Sequence, residues 1–74
     1  MSVGEIIKKV LAEEGRSQVW IIDRMNEIDR QLKMDRTKFS SIVTDHRRMS
    51  AEEMLAFCKA LEISPDIFVE QSSL

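Results

Sequence analysis

The sequence predicts an all-α domain of five helices. Three observations carry that reading. Glycine and proline are scarce, two and one in 74 residues. Apolar residues recur at three- and four-residue steps, and seldom alternate with polar ones. Residues suited to capping helix starts stand ahead of most apolar stripes. With 43% of the chain hydrophobic, residues 1–74 read as one domain near the size at which a single core just suffices.

Ile6, Ile7, Val10 and Leu11 fall on one helical face, and Gly15 is a natural C-terminal stop. Ser17 suits the N-cap of a second helix, whose stripe is Ile21, Met25, Ile28 and Leu32. That spacing carries the helix to about Gln31 or Leu32, with Trp20 and Ile22 widening the stripe. A third helix begins near Asp35 and buries Phe39, Ile42 and Val43. The run Asp45-His46-Arg47-Arg48 breaks the apolar pattern and reads as a loop, in which Asp45 tolerates a left-handed turn. Ser50-Ala51-Glu52-Glu53 is a capping box. It opens a fourth helix, expected to turn Met54, Leu55, Cys58 and Leu61 inward. Ser64-Pro65-Asp66 caps a short fifth helix with proline at its first position, docked by Ile67 and Phe68. Gln71 to Leu74 are expected to fray.

Composition narrows the function. A lone cysteine, Cys58, in an apolar pattern reads as a buried thiol, and no metal site or cofactor is expected. His46 is the only histidine, and no nucleophile, base and orienting group can be assembled around it, so the chain does not read as an enzyme. No apolar run approaches the roughly 20 residues that span a bilayer. The first apolar stretch contains acids, unlike a signal peptide. The reading is a soluble cytoplasmic protein without a small-molecule substrate.

Charge is unevenly placed. The formal net charge is −2. Between Arg16 and Arg48, however, eight basic residues face five acids, so that segment is +3 and the remainder −5. If Phe39, Ile42 and Val43 point inward, Arg36, Thr37, Lys38, Ser40 and Ser41 include the residues left outside. Short hydroxyls behind two long cations suit a DNA major groove, where arginine bridges two acceptors of guanine. Arg16, Ser17 and Gln18 at the start of helix two, with Thr44, His46, Arg47 and Arg48 after helix three, are the candidate phosphate contacts.

The order of these elements resembles the lambda-repressor-like helix-turn-helix domains, the Cro/cI or XRE-type regulators. The resemblance runs from Ser17 to Phe68 and is most specific over MDRTKFSSIVTDHRRMSAEEMLAFCKALEISPDIF. It implies that residues 35–45 form a recognition helix containing Ser40 and Ile42. Ser50 is then the following cap, Leu55 and Leu61 are core leucines, and Ile63-Ser64-Pro65-Asp66 is the final turn. Ser17-Gln18 matches the pair that opens the family's second helix, where glutamine typically contacts the DNA backbone. Two departures stand out. The family's short glycine-containing turn is absent, and Asn26 to Leu32 looks like an insertion that lengthens helix two, as in some phage repressors. Ile22 stands where the family prefers alanine, which is expected to push helices two and three slightly apart.

The function so implied is sequence-specific binding of double-stranded operator DNA by a transcriptional regulator, a repressor or Cro-like protein of a phage or mobile element. Useful specificity ordinarily requires two half-sites. A dimer is therefore expected, either a homodimer through the helical body itself (the last helix or the lengthened helix two, since the residues after Phe68 are too few for a separate dimerisation domain) or a pair whose second half a larger partner subunit supplies. The competing reading is a protein-interaction module of the same fold, antirepressor- or antitoxin-like, supported by the acidic balance and by Asp23, Glu27 and Asp29.

Overall fold

Helix starts follow the side chains that can take a free backbone N–H. The computed structural model describes residues 1–72. Five α-helices run in the order α1 (Val3–Glu14), α2 (Gln18–Ile28), α3 (Arg36–Val43), α4 (Ala51–Leu61) and α5 (Asp66–Ser72). Ser2, Ser17, Asp35 and Ser50 are the N-caps of the first four, and each side chain accepts a backbone N–H within the first turn. Full capping boxes close at Ser2–Glu5 and at Ser50–Glu53. Gly15 ends α1 at φ 66°, the left-handed position that glycine takes without a steric cost.

All five helices supply the core. Ile6, Ile7, Ile21, Met25, Phe39, Ile42 and Phe57 are almost wholly removed from water, and Phe68 brings α5 onto them. The Phe57 and Phe68 rings meet edge to face with centroids 6.0 Å apart. Cys58 is buried, as its pattern implied, and burial pushes its thiol pKa above the ordinary value. Among the described residues no helix is long and apolar enough to cross a membrane.

The segment between α2 and α3 is built differently from the expectation. Helix two does not run to Gln31 or Leu32, and it is not lengthened. It ends at Ile28, Asp29 is extended (φ −140°, ψ 97°), and Arg30–Leu32 form a separate 3₁₀ turn. The break lies in local hydrogen bonding. The Asp29 carboxylate accepts the Gln31 N–H at 3.1 Å, which starts a new turn rather than continuing the old one. Lys33 then takes a left-handed conformation (φ 47°), and Met34 plugs into the core at 4% exposure. Asn26 fastens this connection to α2. Its side-chain oxygen accepts the Met34 N–H at 2.8 Å and its amide donates to the Met34 carbonyl at 2.9 Å.

Three smaller corrections concern the second half. Leu55 points outward, 51% exposed, because Ala56, Phe57, Ala60 and Leu61 occupy the inner face of α4. Pro65 precedes α5 instead of opening it; the helix starts at Asp66, whose N–H donates to Ser64 Oγ at 3.2 Å. Of the stretch expected to fray, Gln71 and Ser72 belong to α5, and residues 73 and 74 lie outside the described residues.

Candidate functional site

Helix α3 presents its polar side where its buried side dictates. With Phe39, Ile42 and Val43 in the core, Arg36, Thr37, Ser40 and Ser41 line a groove of about 420 Å³ together with Gln18 at the start of α2. Five of the residues singled out from the sequence thus converge on one surface, although Gln18 is far from the rest in the chain. The groove has no apolar lining residue. Its lining is three hydroxyls, a guanidinium and a carboxamide, all able to donate hydrogen bonds and most to accept them.

Arg36 and Lys38 both lie within the first turns of α3, whose N-terminus is the positive end of the helix dipole. Cations there weaken the helix slightly, so its own stability does not account for them. Asp35 offsets part of the cost by accepting the Lys38 N–H at 2.8 Å. Lys38 does not join the groove. Its ammonium donates to the Lys33 carbonyl at 3.2 Å, against the connection from α2. Arg36 is exposed and forms no ion pair among the described residues.

At the start of α2, Ser17 Oγ accepts the Trp20 N–H at 3.1 Å, so its oxygen already serves the helix. Arg16 stacks over the half-buried Trp20 ring, with its guanidinium carbon 4.2 Å from the centroid. That contact fixes Arg16 beside the opening of α2.

The loop after α3 forms a second, separate cluster. His46, Arg47 and Arg48 line a cleft of about 490 Å³ with Asp45, Val3, Met49 and Met54. Thr44 is exposed, and its hydroxyl donates to the Ser40 carbonyl at 2.8 Å. The hydroxyl oxygen lies 2.8 Å from His46 Nδ1, within hydrogen-bond distance. Asp45 adopts φ 62° and accepts the Gly4 N–H at 3.0 Å, so it ties the loop to the N-terminus of α1. Hydrogen bonds from the Ser2 side chain and the Gly4 backbone hold its carboxyl below the usual carboxylate range.

Arg47 is committed to the protein. Its two terminal nitrogens donate to Glu53 Oε1 and Oε2 at 3.1 and 2.8 Å, a forked pair. Glu53 is 4% exposed and also accepts the Ser50 N–H at 2.8 Å. Burial alone would raise the Glu53 carboxyl. The bonds from Arg47 and Ser50 and the arginine's charge outweigh burial and leave it below its ordinary value. Arg48 is exposed and unpaired with any acid among the described residues.

Sequence reasoning missed the fasteners around this surface. Glu53 was legible as half of a capping box but not as the partner of Arg47. Asn26 gave no local signal. Gly4 did: a glycine inside an apolar helical stripe marks a close approach. A Cβ built there would lie 2.0 Å from the Val43 carbonyl oxygen. Among the described residues, no cluster of histidine, cysteine or carboxylates is arranged to hold a metal ion.

No family model, curated protein or solved structure matches this chain.

Proposed function

We propose that this protein is a sequence-specific, double-stranded-DNA-binding transcriptional regulator of the lambda-repressor-like helix-turn-helix type. It works in the cytoplasm as a repressor or Cro-like switch. Helix α3 enters the major groove, where Arg36 reads a guanine edge and Thr37, Ser40 and Ser41 lie close enough to contact neighbouring bases. Gln18, the N-terminus of α2 and Arg16 grip phosphates on one side, and Arg48 and His46 on the other. Regulation follows from occupancy of an operator, with no chemical step.

The observation that carries this reading is the groove shared by Gln18, Arg36, Thr37, Ser40 and Ser41. It joins the two segments singled out for base and phosphate contacts on a surface of small polar side chains. Two residues have lesser roles than the sequence implied. Lys38 is turned toward Lys33, and Arg47 is held by Glu53. They position the interface, the first bracing α3 and the second the loop.

The test is a selection of bound sites from random duplex DNA at near-physiological salt. The expected result is one enriched motif, with affinity falling steeply as salt rises, because each neutralised phosphate releases counterions. Failure to enrich any motif overturns the reading. Partner binding insensitive to salt would support the protein-interaction reading instead.

A further inference from the structure

The cleft beside the loop after α3 has two kinds of wall, and the DNA contacts proposed above use one of them. Its polar side is Asp45, His46, Arg47 and Arg48; its other side is Val3, Met49 and Met54. These three apolar residues pack against the core yet stay partly open to water. A phosphate grip accounts for the cations and leaves the apolar wall without a use. At about 490 Å³, the cleft falls within the roughly 300–1,000 Å³ of small-molecule sites. It shares no lining residue with the groove around Arg36.

The hydrogen bonds single out one charge in that lining. Both terminal nitrogens of Arg47 are bound to Glu53. Asp45 accepts the Gly4 N–H at 3.0 Å, and His46 Nδ1 lies 2.8 Å from the Thr44 hydroxyl. Arg48 is exposed and pairs with no acid among the described residues. We infer that the cleft binds a small amphipathic anion, a monocarboxylate on an unbranched hydrocarbon body. Arg48 takes the carboxylate, whose two oxygens match the fork of its N–H donors. Val3, Met49 and Met54 cover the hydrocarbon body and release water from it, and the flexible thioethers adapt to its shape. Asp45 is the one acid in the lining, and it sets the charge of the ligand. With Arg47 neutralised by Glu53, a single negative charge answers Arg48, and a second meets Asp45 unopposed.

This inference stands apart from DNA binding and is tested without DNA. The full chain, labelled with nitrogen-15, is titrated with octanoate below its micellar concentration while amide shifts are followed. Acetate serves as the charged head alone and 1-octanol as the apolar body alone. Octanoate is expected to shift the amides of Val3, Arg48, Met49 and Met54 to saturation. It should bind about tenfold or more tightly than either control, since each control lacks half of the contact. Arg48→Ala should lower octanoate affinity by about tenfold and leave that of 1-octanol unchanged, whereas Arg48→Lys keeps most of it. Met54→Gln should weaken octanoate and 1-octanol together. The amide spectrum of each variant verifies its fold in the same experiment. Shifts centred elsewhere, or no saturable shift, overturn the inference. So does 1-octanol or acetate binding as tightly as octanoate, or an Arg48→Ala variant that binds octanoate as the wild type does.

Discussion

Arg36 and Arg47 belong to one basic segment, and by residue type they look interchangeable. In the folded chain Arg36 lines a polar groove on α3 and forms no ion pair among the described residues, whereas both terminal nitrogens of Arg47 are bound to the buried Glu53 carboxylate. The difference lies in their neighbours. Glu53 reaches Arg47 because the capping box at Ser50 already turns its carboxylate back toward the loop. Among the described residues no carboxylate pairs with Arg36 in this way. Arg47 is therefore a fastener for the fold and Arg36 is left without an ion pair, and their neighbours make the difference.

The strongest way to break the fastened side is at its rear. Gly4→Ala drives a methyl group into the Val43 carbonyl and disturbs the bond between Gly4 and Asp45. The expected loss is about 3 kcal/mol or more, as for a severely overpacked contact, measured by urea unfolding. In a domain this small that removes much of the stability.

Arg47→Ala leaves Glu53 buried without its main partner. A fully buried broken pair costs about 3–5 kcal/mol. The Arg47 side chain is 39% exposed, so water relieves part of the loss and about 2 kcal/mol is expected. The pH dependence has a definite sign. Because the Glu53 carboxyl lies below its ordinary value of 4.5 in the fold, its contribution is full above that pH. It is lost as pH falls through the lower folded-state value. Thermal melts of the wild type should therefore steepen in their acid decline below about pH 4.5, and Glu53→Gln should flatten part of that decline.

Asn26→Ala tests the approach to α3. It strips partners from both the N–H and the carbonyl of Met34, for about 1–2 kcal/mol. With the fold intact, the same variant should blur base preference without changing the salt dependence of binding, since α3 is then less firmly aimed. Glu62→Gly is the smallest effect and runs the other way. Glu62 sits at φ 56° at the end of α4, where glycine avoids a steric penalty, so a gain of about 0.5–1 kcal/mol is expected in the same unfolding assay.

Much of this fold was legible because it rests on local chemistry. Ser17, Asp35 and Ser50 act through backbone groups within a turn, and the positions of Phe39, Ile42 and Val43 fix which side of α3 faces out. The failures were places where local signals compete. The stripe Met25, Ile28, Leu32 keeps a helical period, yet Asp29 and Asn26 divert the backbone between them. Leu55 fits the apolar pattern of α4 as well as Phe57 does, and only the arrangement of neighbouring helices decides that Phe57 goes in. The candidate site was legible as a set of residue types. Its division into free and fastened members was not, because the partners of Arg47 and Lys38 are set by how the loop after α3 and the connection between α2 and α3 fold back.

The contrast between free and fastened cations is tested most directly by comparing Arg36→Ala and Arg48→Ala with the wild type across a panel of DNA sites. Each site differs from the selected motif at one base pair, and binding is measured at two salt concentrations. Arg36→Ala is expected to abolish discrimination at one position, a loss of about 1–3 kcal/mol there, with unfolding unchanged. Arg48→Ala is expected to weaken every site alike and to lower the salt slope by about one. If Arg36→Ala instead weakens all sites equally, or if it destabilises the fold as Arg47→Ala does, then Arg36 is not a reader of sequence and the central claim fails.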